Sequence, residues 1–337
     1  MLAPLLTPKA LLGDDVSKLW EMAAGRSNSL DKMSKAPASD EQASTSWHRA
    51  GEYGLMGLLA LGMCYVLLLA NGNADFGAPT PKPLQAPWPQ PRQSVPGWLS
   101  LHLSFLERLS DSGSSQQFDL IMYGDTLIEA WRGTILGEPN PRVQGCSEIF
   151  HSHFGHKYSS LAFGIAGDAT ANLMWRLQNG EVRKSIKAGA VLLHIGSSDL
   201  TYASFQGDAH IDAAWNSTAV RTVRIAEHVA EMLPGATVVV LGLLPRGDVT
   251  LHPNPDAFKL PSKFTGAINR INSHVQGFVE AHGRGRLRFL DCRSFLLSET
   301  EDIDEELMPD SAYPNAAGME QLAQCIQPAI QDAIGHR

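Results

Sequence analysis

The stretch FDLIMYGDTL, residues 118–127, joins a short apolar run to a turn that contains a glycine. Apolar runs of this length, bounded by turn residues, are typical of buried strands. Four further runs have the same character: SSLAFGI (159–165), AGAVLLHI (188–195), ATVVVLGL (236–243) and RLRFLD (286–291). Three stretches between or after these runs have apolar residues at helical spacing: 213–233, 261–281 and 315–334. Strands that alternate with helices predict an α/β fold with a doubly wound, five-stranded parallel sheet.

Polar residues and glycines follow the predicted strands at the places where such a sheet binds ligands. Ligands lie beyond the carboxyl ends of the strands in doubly wound sheets. A hydroxyl stands at Thr126 after the first strand, and another stands at Ser198 after the third. Gly167 follows the second strand, where its N–H could bind a developing oxyanion. Asp310 and Tyr313 come directly before the last predicted helix, so chemistry is expected at these five positions.

Three longer stretches carry a family resemblance: Trp98-Leu99-Ser100 with His102, FGIAGDATANLMWRLQNGE (163–181) and VLGLLPRG (240–247). Together with the strand-end residues, they resemble the four blocks of the SGNH (GDSL) esterases. The likeness is strongest to the catalytic subunits of type I platelet-activating factor acetylhydrolase, and it spans about 98–333. It implies an SGNH, flavodoxin-like fold in which a serine attacks an ester, a glycine and an asparagine bind the oxyanion, and an aspartate orients a histidine base.

Only two of the family's five functional residues are retained. The resemblance places the serine at Thr126, the glycine at Gly167, the asparagine at Ser198, the aspartate at Asp310 and the histidine at Tyr313. A tyrosine hydroxyl has a pKa of about 10 and cannot accept a proton near neutral pH. The sequence therefore predicts a catalytically impaired relative that acts as a binding or assembly module, with a small acyl ester or polar ligand in its cleft.

An active esterase or acyltransferase remains the alternative. It would use Thr126 as the nucleophile, Gly167 and Ser198 as oxyanion donors, and a base from elsewhere in the chain. Candidate bases are a histidine in the third strand, expected to be buried, and two histidines expected on surface loops: His194, His210 and His252. Asp310 could instead cap the helix that follows it.

Composition excludes other classes of function. The net charge of −8, with no run rich in Lys and Arg, argues against nucleic-acid binding. No metal-ligand cluster, P-loop or GxGxxG fingerprint is present, so neither a metal nor a cofactor is expected. Four cysteines are too few and too scattered for a disulfide framework, and three of them are expected to pack as small apolar groups: Cys146, Cys292 and Cys325.

The first 97 residues predict a membrane attachment. Residues 1–53 are expected to be a disordered tail, 54–71 a transmembrane signal anchor, 72–97 an extended proline-rich stalk, and 98–337 the globular domain. The run from Gly54 to Ala70 has 17 residues without a charge, although a buried helix is an alternative interpretation. An excess of Lys and Arg before this run favours a cytosolic amino terminus and a lumenal or extracellular domain. Asn216-Ser217-Thr218 is a glycosylation sequon compatible with that side. The family resembled here forms dimers, so a dimer or a complex subunit is an open expectation.

Overall fold

The computed structural model describes residues 88–110, 117–248, 254–283 and 285–335. The predicted tail, the predicted anchor from Gly54 to Ala70 and the first part of the predicted stalk lie outside these residues. Within the described part of the chain, no helix has both the length and the apolar character needed to cross a bilayer.

The described residues alternate strands and helices along the chain. The strands are β1 (Gln117–Gly124), β2 (Thr134–Ile135), β3 (Glu138–Pro139), β4 (Ser160–Gly164), β5 (Lys187–His194), β6 (Thr237–Leu241) and β7 (Leu287–Leu290). The α-helices are α1 (Trp98–Arg108), α2 (Thr126–Ala130), α3 (Cys146–Phe150), α4 (Thr170–Arg176), α5 (Ser197–Ser204), α6 (Asp208–Met232), α7 (Thr265–His282) and α8 (Ala316–Gly335). The three helices predicted from apolar spacing correspond to α6, α7 and α8.

Five of these strands form one parallel sheet, in the order β4-β1-β5-β6-β7, while β2 and β3 form a separate antiparallel pair. The chain winds from β1 to β4 on one side and then from β5 to β7 on the other. The strand order therefore reverses between β1 and β5, which is where such sheets bind ligands. The prediction of a five-stranded parallel sheet is confirmed.

Both faces of the sheet are covered, because successive residues of each strand point in opposite directions. In β1, Ile121 and Tyr123 join one core, and Leu120 and Met122 join the other. Helices α1, α4, α6 and α7 pack on the first face, and α2, α3 and α8 pack on the second. The sheet is therefore doubly wound, as predicted.

The end of β1 requires a glycine, since neighbouring atoms leave no room for a side chain. A Cβ added at Gly124 would lie 2.2 Å from the carbonyl oxygen of His194 and 2.5 Å from a side-chain carbon of Ile128. Because Gly124 has no side chain, β1 can pair with β5 up to its last residue while α2 packs closely over the end of the strand.

Residues 88–97, the last part of the segment predicted as a stalk, pack on the domain. The Gln90 N–H donates to the Ala171 carbonyl at 3.1 Å, and the Asn172 amide donates to the Gln90 carbonyl at 3.0 Å. The Trp88 side chain is partly buried against the core that contains α1. Any extended stalk therefore ends before Trp88.

The prediction that Cys292 and Cys325 pack as separate apolar groups is wrong, because the two residues form a disulfide. Cys292 follows β7 and Cys325 lies in α8, and the fold brings their Cα atoms to 5.9 Å across 33 residues of sequence. No spacing pattern in the sequence reveals this approach. Cys146 is a buried free thiol, and burial raises its pKa to about 11.

Candidate active site

The register of three strands brings three of the predicted site residues to one edge of the sheet. Gly124 at the end of β1 lies opposite Gly164 in β4 and His194 in β5. Thr126, Gly167 and Ser198 follow these residues by two, three and four positions. These residues therefore leave the sheet at the point where the strand order reverses.

Thr126 and Gly167 are in direct contact. The Gly167 N–H donates a hydrogen bond of 3.0 Å to the Thr126 hydroxyl. Gly167 has a φ of 79°, a conformation in which a side chain would be strained, and Thr126 is only 8% exposed. The sequence assigned the nucleophile position to Thr126 and an oxyanion donor to Gly167, and the structure brings these two residues into contact.

Two side chains outside the predicted set hold the loop that carries Gly167. The buried Glu129 carboxylate accepts from the Ala166 N–H at 2.6 Å and from the Gly137 N–H at 2.7 Å. The Tyr202 hydroxyl donates to the Gly167 carbonyl at 2.7 Å from α5. The loop is therefore fixed at the peptide group that precedes the Ala166 Cα atom and at the one that follows the Gly167 Cα atom.

A set of fully buried charges lies beneath this loop, and we call Asp168, Arg176 and Glu181 the buried ion cluster. The Arg176 guanidinium donates to Asp168 at 2.8 Å and to Glu181 at 2.7 Å. Burial alone would lower the pKa of Arg176, but these two carboxylates raise it. The indole N–H of Trp98 donates to Asp168 at 2.7 Å, and a ring nitrogen of His102 lies 2.7 Å from Glu181. Helix α1 is therefore tied to the Gly167 loop.

Arg92 reaches the same loop from the segment before α1. Its Nη1 donates to the Ala166 carbonyl at 2.8 Å and to the Asp168 carboxylate at 3.2 Å. A Cβ added at Gly167 would lie 2.9 Å from the guanidinium of Arg92. Arg92 therefore covers the outer face of Gly167.

Tyr313 lies beside Thr126, at the position where the resemblance expects a histidine base. Burial raises the pKa of the Tyr313 phenol above its ordinary value, and the Asp125 carboxyl adds to the rise. Hydrogen bonding from Thr126 and the charges of Arg246 and Arg142 oppose the rise without cancelling it. The group next to the Thr126 hydroxyl is therefore a neutral phenol at physiological pH.

Asp310 stabilises its own loop. Its Oδ1 accepts from the backbone N–H groups of Ala312 at 3.0 Å and Tyr313 at 2.8 Å. Its Oδ2 forms an ion pair with Arg142, whose guanidinium carbon stands 4.7 Å from the centre of the Tyr313 ring. Asp310 therefore orients the tyrosine loop, whereas the resemblance gives this position a histidine to orient.

Among the described residues, Thr126 forms no hydrogen bond with Ser198, His194 or His210. Ser198 is buried in the first turn of α5. His194 is buried in β5, as expected, and burial lowers its pKa to about 4. His210 lies in α6, and His252 is outside the described residues. Among the described residues, no histidine hydrogen-bonds to Thr126.

Asp125 is an ionisable group beside Thr126 that the sequence did not single out. Its Oδ1 accepts from the Leu127 N–H at 3.1 Å, and its buried Oδ2 has no hydrogen-bond partner. Burial raises the pKa of Asp125 to about 8, and the carboxylates of Asp168 and Asp199 add to the rise. Asp125 is therefore mainly uncharged at neutral pH.

The residues that support the Gly167 loop differ in how far the sequence alone could have identified them. Tyr202 stands four residues after Ser198, so the helical period places both on one face of α5. Glu129 is an acid within an otherwise apolar turn of helix, which is a usable sign of a buried polar contact. Arg92 gives no local signal. In the described part of the chain, no group of three or more His, Cys, Asp or Glu is arranged to hold a metal ion.

Comparisons with known proteins agree with this fold. The sequence model of the GDSL-like Lipase/Acylhydrolase family matches residues 122–321 of this chain. The platelet-activating factor acetylhydrolase IB subunit alpha1 of Homo sapiens is 33% identical over 235 residues, which are 68% of this chain and 82% of the human protein. The Bos taurus protein of the same name is 32% identical over 233 residues, with the same coverage.

A solved structure from Streptococcus pneumonia has a TM-score of 0.51 and covers 69% of this chain and 92% of its own. At 17% identity it is evidence for the fold alone. The family match extends over more than half of this chain and runs from the end of β1 past β7, so that it includes Thr126, Gly167 and Tyr313. The chain thus belongs to the GDSL-like lipase/acylhydrolase family.

Proposed function

We propose that this chain is a membrane-anchored member of the family whose Thr126 site no longer hydrolyses esters, and that it acts as a binding or assembly module. The observation that carries the proposal is the neutral, half-buried Tyr313 phenol beside the Thr126 hydroxyl. A serine or threonine becomes a nucleophile when a positioned base takes its proton. Tyr313 occupies the place of that base and cannot accept a proton near pH 7.

The polar groups near Thr126 do not replace the missing base. Asp125 is mainly protonated near neutral pH, and its one hydrogen-bonded oxygen already accepts from a backbone N–H. Losing a member of a catalytic unit lowers kcat by up to about 10⁶-fold, because the members act together. The hydrogen-bonding groups of Thr126, Gly167 and Tyr202 lie together at the edge of the sheet, which supports the proposal that a small acyl ester or polar ligand is held there without turnover.

Several features support an anchored domain on the lumenal or extracellular side. The uncharged run from Gly54 to Ala70 supports the anchor, and the positive residues before it favour a cytosolic amino terminus. Disulfides such as the one between Cys292 and Cys325 persist mainly in oxidising compartments. Asn216 of the sequon is exposed on α6, where a glycan would meet solvent. Gel electrophoresis of the full chain made in microsomes tests the orientation. A glycan at Asn216 should lower the mobility of the chain. An N-glycosidase should reverse this shift, and Asn216→Gln should not show it.

An active esterase or acyltransferase is the second candidate. The specific observation in its favour is the contact between Thr126 and Gly167, since a nucleophile beside its oxyanion donor is the geometry that acyl transfer needs. The relatives are named for acetylhydrolase activity, so an acetyl ester is the natural substrate for the test.

The test is turnover of p-nitrophenyl acetate by the detergent-solubilised full chain. Three variants accompany the natural protein: Thr126→Ala, Tyr313→His and, as a control outside the site, Tyr158→His. We expect the natural chain and Thr126→Ala to be indistinguishable. Tyr313→His should gain about 10²-fold or more, because a positioned general base contributes about 10²- to 10⁴-fold.

Two results would contradict the proposal or its interpretation. If the natural chain turns over the ester and Thr126→Ala abolishes the reaction, the site is catalytic and the proposal fails. If Tyr158→His raises the rate of ester hydrolysis as much as Tyr313→His does, the increase does not depend on a histidine at position 313.

A further inference from the structure

Arg246 is a buried cation that lacks a carboxylate partner. The residue is 8% exposed, and its guanidinium carbon lies 4.0 Å from the centre of the Phe264 ring. Its Nη1 donates to the Thr201 hydroxyl at 2.6 Å and, more weakly, to the Ser197 carbonyl at 3.4 Å. Its Nε is buried without a hydrogen-bond partner. Within the described residues, Arg246 forms no ion pair.

A buried charge without a counter-ion is costly, so this arrangement calls for an anion. Burial lowers the pKa of Arg246, and the groups that oppose this act without forming an ion pair: Tyr313, Asp310 and Asp248. Buried arginines in proteins are usually paired with carboxylates or with bound anions. The other buried arginine near the site, Arg176, follows that pattern with two carboxylates.

Arg246 lines a cavity of about 440 Å³ at the carboxyl ends of β6 and β7, which we call the Arg246 cavity. Apolar side chains of Leu260, Ile268 and Leu297 form part of its wall. Hydroxyl groups of Thr265 and Ser294 also line it. A mainly apolar cavity with a few convergent polar groups is the usual form of a small-molecule site.

The charges of the cavity favour a singly charged ligand. Asp291 and Arg293 also line it, and they form an ion pair with each other at 2.7 Å. Their charges cancel, which leaves Arg246 as the one uncompensated charge among the lining residues. The guanidinium plane matches a carboxylate, and the apolar wall matches a short aliphatic chain.

We infer that the Arg246 cavity binds a short-chain monocarboxylate, whose carboxylate group pairs with Arg246. This inference is independent of the function proposed for Thr126, because neither Thr126 nor Gly167 nor Tyr313 lines the cavity. The carboxylate supplies the missing counter-charge, and Leu260 and Ile268 contact the alkyl chain.

The test is titration calorimetry of the full chain in lipid nanodiscs with butyrate, 1-butanol and inorganic phosphate. Butyrate should bind saturably at one site, and the two other compounds should not. Arg246→Gln should weaken butyrate binding about 10- to 100-fold, which is the range for loss of a charge-assisted hydrogen bond. Arg288→Gln removes an equal charge from an exposed pair outside the cavity and should bind like the natural chain.

A second variant keeps the inference testable if Arg246→Gln fails to fold. Ser294 is exposed at the cavity wall, so Ser294→Trp should fill the cavity and abolish butyrate binding without touching Arg246. Glu299→Trp adds the same ring at an exposed position outside the lining and should leave binding intact. Absence of saturable butyrate binding to the natural chain, equal binding of 1-butanol, tighter binding of phosphate, or unchanged binding in Ser294→Trp would each overturn the inference.

Discussion

The Gly167 side and the Tyr313 side of the candidate site are held by different kinds of interaction. Beneath Gly167, the charges of the buried ion cluster are completely shielded from solvent. Beside Tyr313, the ion pair between Arg142 and Asp310 is more than one-third exposed on both partners. Buried pairs leave a stranded charge when one partner is lost, whereas exposed pairs contribute little.

This difference explains why Gly167 is retained. Gly167 cannot change without displacing Arg92, and its neighbour Asp168 cannot change without stranding Arg176. Tyr313 replaces the expected histidine in a loop whose backbone is held by Asp310 and by main-chain hydrogen bonds, and none of these bonds involves the side chain at 313. A change at Gly167 or Asp168 would therefore disturb buried charges, whereas the change from histidine to Tyr313 breaks no buried ion pair, and Asp310 on the same side is retained.

Breaking the buried ion cluster should have the largest effect. Arg176→Met leaves Asp168 and Glu181 buried without a counter-charge, so we expect the free energy of unfolding to fall by about 3–5 kcal/mol. Urea denaturation followed by circular dichroism measures the change. Arg270→Met, which breaks an exposed pair with Asp212, is the matched control and should cost less than about 1 kcal/mol. If Arg176→Met and Arg270→Met lower the free energy of unfolding equally, the distinction between buried and exposed ion pairs is wrong for this protein.

Removing the charge of Glu129 should loosen the Gly167 loop. Glu129→Gln replaces a carboxylate that accepts from the Ala166 N–H, and charged hydrogen bonds of this kind contribute about 1.5–3 kcal/mol. Hydrogen exchange of the amides at 164–168 should become faster, while exchange in α7 should not change. Glu148→Gln at an exposed position is the control. Unchanged exchange at 164–168 would show that Glu129 does not position the loop.

The raised pKa of Asp125 should make stability fall as pH rises. In the unfolded chain this carboxyl loses its proton near pH 4, whereas in the folded protein it keeps the proton up to about pH 8. Between these values the unfolded state binds fewer protons, so Asp125 lowers the free energy of unfolding by about 1.4 kcal/mol per pH unit.

Asp125→Asn should remove this slope. Thermal unfolding of both proteins from pH 5 to pH 8 measures the difference, and Asp256→Asn at an exposed position is the control. If the difference in free energy of unfolding between the natural chain and Asp125→Asn stays constant with pH, the raised pKa of Asp125 is contradicted.

The smallest effect is expected on the Tyr313 side. Arg142→Gln breaks the exposed pair with Asp310, and such pairs contribute about 0–1 kcal/mol. A double-mutant cycle with Asp310→Asn isolates the pair from the backbone hydrogen bonds that Asp310 also accepts. A coupling energy as large as that of Arg176 with Asp168 would erase the distinction between the two sides.

The sequence predicted the sheet, and it placed Thr126 and Gly167 after two of its strands, because both follow from local patterns. Buried strands give apolar runs, and parallel strands place the residues after them at one edge. The register of Gly124 with Gly164 then brings the two residues together.

Contacts between distant segments were not predictable in this way. Arg92 lies in a proline-rich segment and meets Gly167 across 75 residues, and Cys292 meets Cys325 only because the residues after β7 pack against α8. Such pairs depend on how the elements pack, which no local spacing encodes. Arg246 was noticed only as part of the family likeness, because a single arginine in a loop gives no sign that it will be buried.

The segment before α1 sets the practical boundary of the domain. A fragment that begins at Trp98 would keep all seven strands and the buried ion cluster, yet it would lose Gln90 and Arg92. The Ala166 carbonyl and the outer face of Gly167 would then meet water. Measurements on such a fragment would report on an altered loop, so fragments of this protein should begin before Trp88.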